Sequence, residues 1–163
     1  MERFRIGLGE DSHRLALGGP LRLGGVEVPH DKHLVGHSDA DALLHAVTDA
    51  LLGAAGLPDI GEHFPNTDEA NRGRDSADML RLAAEGVAAA GYRIVNLDCV
   101  LALEQPKFAP HKQAVIRRIA EILAIDPSQV NCKAKTGEGA GAVGRQEIVA
   151  ARCVALLAST AEN

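Results

Sequence analysis

The 163 residues suggest one domain, 1–163, built around a single core. The net charge is −5 with no basic run, which argues against a nucleic-acid surface, since that needs clustered Lys and Arg. Hydrophobic residues make up 46%, yet Trp is absent and there are only three Phe and one Tyr, so the core must be made of Ala, Val, Leu and Ile, and oligomerisation is the expected remedy for the little surface these bury.

At the N-terminus there is no charged-then-apolar leader, and no apolar run approaches ~18 residues, so a soluble cytoplasmic protein without membrane contact is expected. Arg5 to Arg14 reads as a strand that ends in a polar cluster. Asp11 and His13 are two apart and therefore share a face. Taken alone, Asp-x-His reads as a hydrogen-bonded strand end. Gly18-Gly19-Pro20 and Gly24-Gly25 are turn signals around Leu21–Leu23, and with Val26–Val28 they predict a hairpin. Pro29 to Gly36 reads as a polar loop. His30, His33 and His37 are too irregularly spaced to predict a metal site there.

A short apolar helix follows. Ser38 is the expected N-cap, with Asp41 at the third helical position completing a capping box. Ala40, Leu43, Leu44, Val47, Ala50, Leu51 and Ala54 form one stripe at helical spacing. Asp41, His45, Thr48 and Asp49 occupy the opposite face, which alone reads as a solvated polar surface. His45 has carboxylates at i−4 and i+4 that could hold it in one tautomer, as a metal ligand needs. Asp11, His13 and His45 together would offer one carboxylate and two imidazoles, a usual Zn²⁺ set with the fourth position open.

Gly53, Gly56 and Pro58 end this helix. Asp59-Ile60-Gly61 and Phe64-Pro65-Asn66-Thr67-Asp68 read as carboxylate-rich loops, for which turn chemistry is the simplest role. Asn71 to Arg74 is a polar, mobile connector. Asp75 or Ser76 caps a second helix through Ala90, stopped by Gly91. Arg93 to Glu104 is a strand, Glu104 to Phe108 its exit turn, and Pro110 opens a third helix with Val115, Ile119, Ile122 and Leu123 inward. Val130 to Thr136 is a strand, Gly139 to Gly144 a flexible bridge, and Gln146 to Ala158 the last strand. Cys99, Cys132 and Cys153 lie singly in apolar strands and read as reduced core residues. The order predicts a two-layer α+β domain, a mixed β-sheet with helices packed on one face.

Four stretches carry a family resemblance: R-I-G-x-G-x-D-x-H-R at 5–14, G-H-S-D-A-D-A-L-L-H-A-x-T-D-A-L-L-G-A at 36–54, D-I-G-x-x-F-P-x-T-D at 59–68 and T-x-E at 136–138. In this order they resemble the 2-C-methyl-D-erythritol 2,4-cyclodiphosphate synthases of isoprenoid-precursor synthesis. The resemblance implies a homotrimer with active sites at subunit interfaces. It also implies a reaction in which the substrate's own 2-phosphate attacks the β-phosphorus of its cytidine diphosphate and releases CMP. That chemistry suits a chain in which no Ser or Cys nucleophile with a base and no P-loop is found. A phosphate nucleophile is already ionised, and the task is positioning and charge neutralisation.

By the same resemblance, Asp11, His13 and His45 hold Zn²⁺, Glu138 holds Mg²⁺ or Mn²⁺, and His37 and Thr136 stabilise the transition state. Ser12, Ser38, Asp59, Ile60, Gly61, Phe64, Pro65, Asn66, Thr67 and Asp68 match substrate contacts. Leu103, Glu104, Gln105, Pro106, Lys107, Phe108 and Ala109 match the segment around the cytosine. Lys135 and Gly137 flank Thr136, while Ala142 and Arg145 lie toward the threefold axis. Lys135-Thr136-Gly137-Glu138 departs from a T-T-T-E pattern, Ala142 from an aromatic residue, and Arg152 from an acidic partner of the axial arginine. The last two weigh against isoprenoid-diphosphate binding on the axis. Two alternatives stay open: a zinc-dependent phosphohydrolase with Glu10 or Asp41 as base, and a non-catalytic isoprenoid-diphosphate sensor with structural zinc.

Overall fold

Alternating exposure along the first strand organises the molecule. A computed structural model describes residues 2–65 and 67–160. In chain order it contains β1 (Phe4–Leu17), β2 (Leu21–Leu23), β3 (Val26–Val28), β4 (Lys32–Val35), α1 (Ala42–Ala55), α2 (Ile60–His63), α3 (Ser76–Ala89), β5 (Tyr92–Ala102), α4 (Lys112–Leu123), β6 (Val130–Lys135), α5 (Gly141–Gly144) and β7 (Ile148–Ser159), with 3-10 turns at Glu69–Asn71 and Pro127–Gln129. The main sheet has the order β4-β1-β7-β5-β6. Its pairs are antiparallel except β5 with β6, where α4 supplies the crossover that a parallel pair requires. The hairpin β2-β3 forms as expected and stands apart from this sheet. The mixed sheet and its helices make the α+β arrangement read from the sequence.

One sheet face is covered by helices. Gly7 and Gly9 of β1 lie under α1, beside Ala46, Ala50 and Ala54. A Cβ on Gly9 would sit 1.9 Å from the Ala46 carbonyl oxygen, and one on Gly7 2.1 Å from that of Ala50. The close approach therefore depends on missing side chains, and it explains why an Ala-rich helix suffices here. Leu97, Cys99 and Leu101 of β5 and Val149, Cys153 and Leu157 of β7 are buried on the same face. Cys132, Cys99 and Cys153 align across three neighbouring strands as buried free thiols, as expected of reduced core residues. On the other face Phe4, Ile6 and Leu8 are 59%, 74% and 66% exposed, so the first half of this side of β1 is apolar and uncovered in a single chain. Among the described residues no helix is long and apolar enough to cross a membrane.

Several local readings change, among them Asp59-Ile60-Gly61, which is not loop but the start of α2, with Asp59 as its cap. Ala40 has φ 59°, in the left-handed region, so the helix cannot begin at Ser38. Its N-cap is Asp41, whose carboxylate accepts from Leu44 N at 3.1 Å. The face carrying Asp41 and Thr48 is buried rather than solvated, and Thr48 satisfies its hydroxyl on the Leu44 carbonyl. Lys32–Val35 is a strand, not loop, because β1 continues to Leu17 and offers it an edge. Gly139 to Gly144 is a folded turn rather than a free bridge, with Ala140 N donating to Gly137 O and Gly144 N to Ala140 O.

Candidate metal and substrate site

Asp11 and His13 leave β1 on the helix-covered face, and His45 leaves the first turn of α1 toward them. The Gly9–Ala46 contact brings the two backbones close enough for their side chains to meet. Asp11 Oδ2 lies 2.9 Å from His13 Nε2 and 2.9 Å from His45 Nδ1, and the two ring nitrogens are 3.2 Å apart. Among the described residues, these three form the one cluster of His, Cys, Asp or Glu side chains suited to hold a metal ion. His13 Nδ1 lies 3.0 Å from the Val35 carbonyl oxygen. A carbonyl only accepts, so Nδ1 carries the hydrogen and Nε2 turns a lone pair toward Asp11. Two acceptors this close repel unless a proton or a cation lies between them.

The proton affinities report the same field. Burial pushes the Asp11 carboxyl up, but the favourable field of the adjoining His13 and His45 rings, with a proton in the place a metal would take, outweighs it and holds the group well below the ordinary carboxylate range. The Asp11 carboxylate in turn raises His13 above the ordinary imidazole value, against its burial. Three donor atoms about 3 Å apart admit a point ~2 Å from each, the distance zinc takes to nitrogen and carboxylate oxygen. The donor set therefore fits a divalent metal with an open fourth position.

The carboxylates expected to hold His45 do not touch it. Asp41 turns away, accepting from Gly24 N at 2.9 Å and Gly25 N at 2.7 Å as well as from Leu44. Asp49 accepts from Ile60 N at 2.8 Å. Two hydroxyls stand at His45 Nε2 instead: Ser76 at 2.8 Å and Ser38 at 3.2 Å. Ser76 drew attention in the sequence only as a possible cap of the second helix and Asp39 only as part of the 36–54 stretch, and the Val35 carbonyl carried no sequence signal.

A cavity of about 190 Å³ opens beside these ligands, lined by Asp11, His13, His37, Ser38, His45, Ile60, Gly61, Phe64 and Met79. His37 Nδ1 is buried without a hydrogen-bond partner. Met79, buried on α3, also lines the cavity. Asp59 and Asp68 serve as caps, accepting from Glu62 N at 2.9 Å and Ala70 N at 3.0 Å. The connector is anchored rather than loose: Asn71 is buried, donates to Pro65 O at 3.0 Å and accepts from Arg74, whose guanidinium lies 4.9 Å from the Phe64 ring centre. Thr67 is exposed, and Asn66 lies outside the described residues. Ser12 alternates to the uncovered face of β1, so only its backbone borders the Asp11–His13 pair.

The remaining candidates gather elsewhere. A second cavity, about 140 Å³, is lined by Leu103, Glu104, Pro106, Lys107, Phe108, Ala109, Ala134, Lys135 and Thr136. Leu103 and Phe108 are buried, while Gln105 is exposed. Glu104 accepts from Gly137 N at 2.8 Å and ties the exit turn of β5 to the loop holding Thr136 and Glu138. Glu138 is exposed at φ 50°, a left-handed conformation for a residue with a Cβ. Ala142 sits in α5. Arg145 pairs with Glu147 at 2.7 and 3.2 Å. Arg152 pairs instead with Glu10, at 3.0 and 3.1 Å, on the uncovered sheet face. Neither base nominated for a hydrolase is placed for that work, because Glu10 faces away from Asp11 and Asp41 is sealed among backbone donors.

The YgbB family model matches residues 4–158. A 2-C-methyl-D-erythritol 2,4-cyclodiphosphate synthase of Bordetella petrii is 57% identical over 155 residues, 95% of this chain and 96% of the relative. The structure of the bifunctional IspDF from Campylobacter jejuni matches with a TM-score of 0.94 at 37% identity, over 98% of this chain and 43% of that one. A CDP-bound form of a 2C-methyl-D-erythritol-2,4-cyclodiphosphate synthase matches with a TM-score of 0.86 at 42% identity, over 94% and 99% of the two chains. From the first strand to the last, the chain thus belongs to the YgbB family.

Proposed function

We propose that this chain catalyses the reaction for which its relatives are named. The substrate is 4-diphosphocytidyl-2-C-methyl-D-erythritol 2-phosphate. An oxygen of its 2-phosphate bonds to the β-phosphorus, the bond from that phosphorus to the oxygen bridging to the α-phosphate breaks, and CMP leaves with that oxygen. The observation that carries this reading is the convergence of Asp11, His13 and His45 on one point beside a cavity that neither Glu10 nor Asp41 reaches.

The bound metal, assigned as Zn²⁺, would supply Lewis-acid polarisation of the β-phosphate. The protein's share is positioning. The His37 imidazole, whose Nδ1 is buried without a partner, and the Thr136 hydroxyl are assigned to donate to phosphoryl oxygens as charge develops. Ser38, Ile60, Gly61 and Phe64, which line the cavity, are assigned together with Asp59 to the methylerythritol end. The turn from Leu103 to Ala109 is assigned to the cytosine, and Glu138 to Mg²⁺ or Mn²⁺, which takes one carboxylate together with phosphate oxygens and water.

A homotrimer belongs to this proposal. The ligand pair lies on β1 and Thr136 just beyond β6, three strand positions apart in the sheet order, or about 14 Å at usual strand spacing. That is too far for one phosphoryl group to meet both within a single chain. The two cavities have no lining residue in common. A neighbouring copy that presents its Thr136 loop to this chain's Asp11 cavity would complete the site, and the uncovered apolar face of β1 supplies a surface for that assembly.

The test is phosphorus NMR on purified protein with the substrate, Zn²⁺ and Mg²⁺. Appearance of CMP with two coupled cyclic diphosphate signals is expected. CMP with a linear product would mean hydrolysis, and an unchanged spectrum from folded, zinc-loaded protein would mean a non-catalytic binder.

A further inference from the structure

Two hydroxyls stand at one ring nitrogen of His45, which has one hydrogen at most to give in its neutral form. The two are not equivalent. Ser76 is fully buried at the start of α3, while Ser38 lines the open cavity. Ser76 Oγ is also hydrogen-bonded to Asp39 Oδ1, and Ser76 N donates to Asp39 Oδ2 at 3.2 Å. The Asp39 carboxylate further accepts from Asp41 N at 3.3 Å and from Arg22 at 3.5 Å.

The polarity of this chain follows from donor and acceptor chemistry. A carboxylate accepts and does not donate, so the single hydroxyl hydrogen of Ser76 goes to Asp39. Ser76 then faces His45 with a lone pair, and Nε2 must carry the ring hydrogen. Nδ1 is left as the free lone pair directed at Asp11 and His13. We propose that Ser76, oriented by Asp39, is the positioning residue that sets the metal-binding tautomer of His45 and thereby leaves the Ser38 hydroxyl free for substrate. The inference rests on reading Asp11, His13 and His45 as a metal site. It assigns the carboxylate–hydroxyl–imidazole order to Asp39, Ser76 and His45, in place of a direct carboxylate contact.

The test measures Zn²⁺ affinity by chelator competition on the full chain, with no substrate present. The variants are Ser76→Ala, Asp39→Asn, Ser38→Ala and, as a control, His45→Ala. Ser76→Ala is expected to bind zinc about 10- to 100-fold more weakly, the usual loss when the partner of a ligating histidine is removed. Asp39→Asn is expected to weaken it in the same direction, because an amide can donate to Ser76 and let its hydroxyl point at Nε2. Ser38→Ala should keep wild-type affinity. Nitrogen NMR of His45 in the metal-free protein gives a second readout that a purely structural role would not move: Nδ1–H tautomer should appear in Asp39→Asn and not in Ser38→Ala.

If wild type binds no zinc, or His45→Ala binds as tightly as wild type, the metal reading itself fails. If wild type binds and His45→Ala does not, while Ser76→Ala and Asp39→Asn match wild type, the relay fails alone. A loss in Ser38→Ala with none in Asp39→Asn would transfer the role to Ser38 and overturn the proposal. Should Ser76→Ala not fold, Asp39→Asn decides by both readouts.

Discussion

At Glu138 the backbone is left-handed, at φ 50°, where a Cβ costs roughly 1 kcal/mol. That cost lets the carboxylate leave a loop otherwise made of small residues, between Gly137 and Gly139. Glu138→Gly should therefore keep or raise stability by about 1 kcal/mol while removing the dependence of turnover on Mg²⁺ or Mn²⁺. Urea unfolding read beside a Mg²⁺ titration checks both halves; an unchanged titration would remove Glu138 from the metal role. Asp11, His13 and His45 were legible in the sequence because strand and helix periods put them on faces that could meet. The Ser76 hydroxyl at His45 was not, since Ser76 lies 31 residues away and no local pattern connects the two.

Two features of the elements themselves build the site. The first is contact between α1 and β1 without side chains between them. Gly9→Ala would place a methyl group 1.9 Å from the Ala46 carbonyl oxygen, so the helix must move. Such overpacking costs about 1–3 kcal/mol. The same shift would draw His45 away from Asp11 and His13. Gly9→Ala is thus expected to lose both stability and zinc affinity, measured by urea unfolding and chelator competition, and retained affinity would show that the site tolerates helix movement. The second feature is Asp41, which joins the Gly24-Gly25 turn to the N-terminus of α1. Its burial pushes the carboxyl up, against the backbone N–H groups of Gly25, Leu44 and Gly24 that stabilise the charge. Asp41→Ala leaves three backbone N–H groups without this partner, and a loss of at least ~3 kcal/mol in urea unfolding is expected. The sequence placed Asp41 on the right helix but at the wrong position in it. Ser38 and Asp41 are both good caps, and only the left-handed turn at Ala40 separates them.

Across the whole molecule, the apolar face of β1 and the separation of the two cavities point the same way. Ile6 and Leu8 are exposed large side chains on a flat strand surface, which monomeric proteins seldom present as a contiguous patch. Leu8→Glu is expected to convert the proposed trimer to monomer by light scattering. The monomer should still bind zinc, because Asp11 and His13 face the other side of the sheet, but its turnover should fall at least ~100-fold, as expected when catalytic groups lose their positioning. A fully active monomer would show that one chain completes the site.

By itself the sequence determined the composition of the core, the hairpin, the three long helices, most strand positions and the residues able to bind a metal. Each of these follows from local spacing, turn chemistry or the kinds of side chain present. The added strand Lys32–Val35, the cap at Asp41, the anchoring of Asn71 and the approach of Ser76 to His45 were decided only in the tertiary structure. Each depends on a partner distant in sequence or on a backbone angle that neighbouring residue types do not dictate.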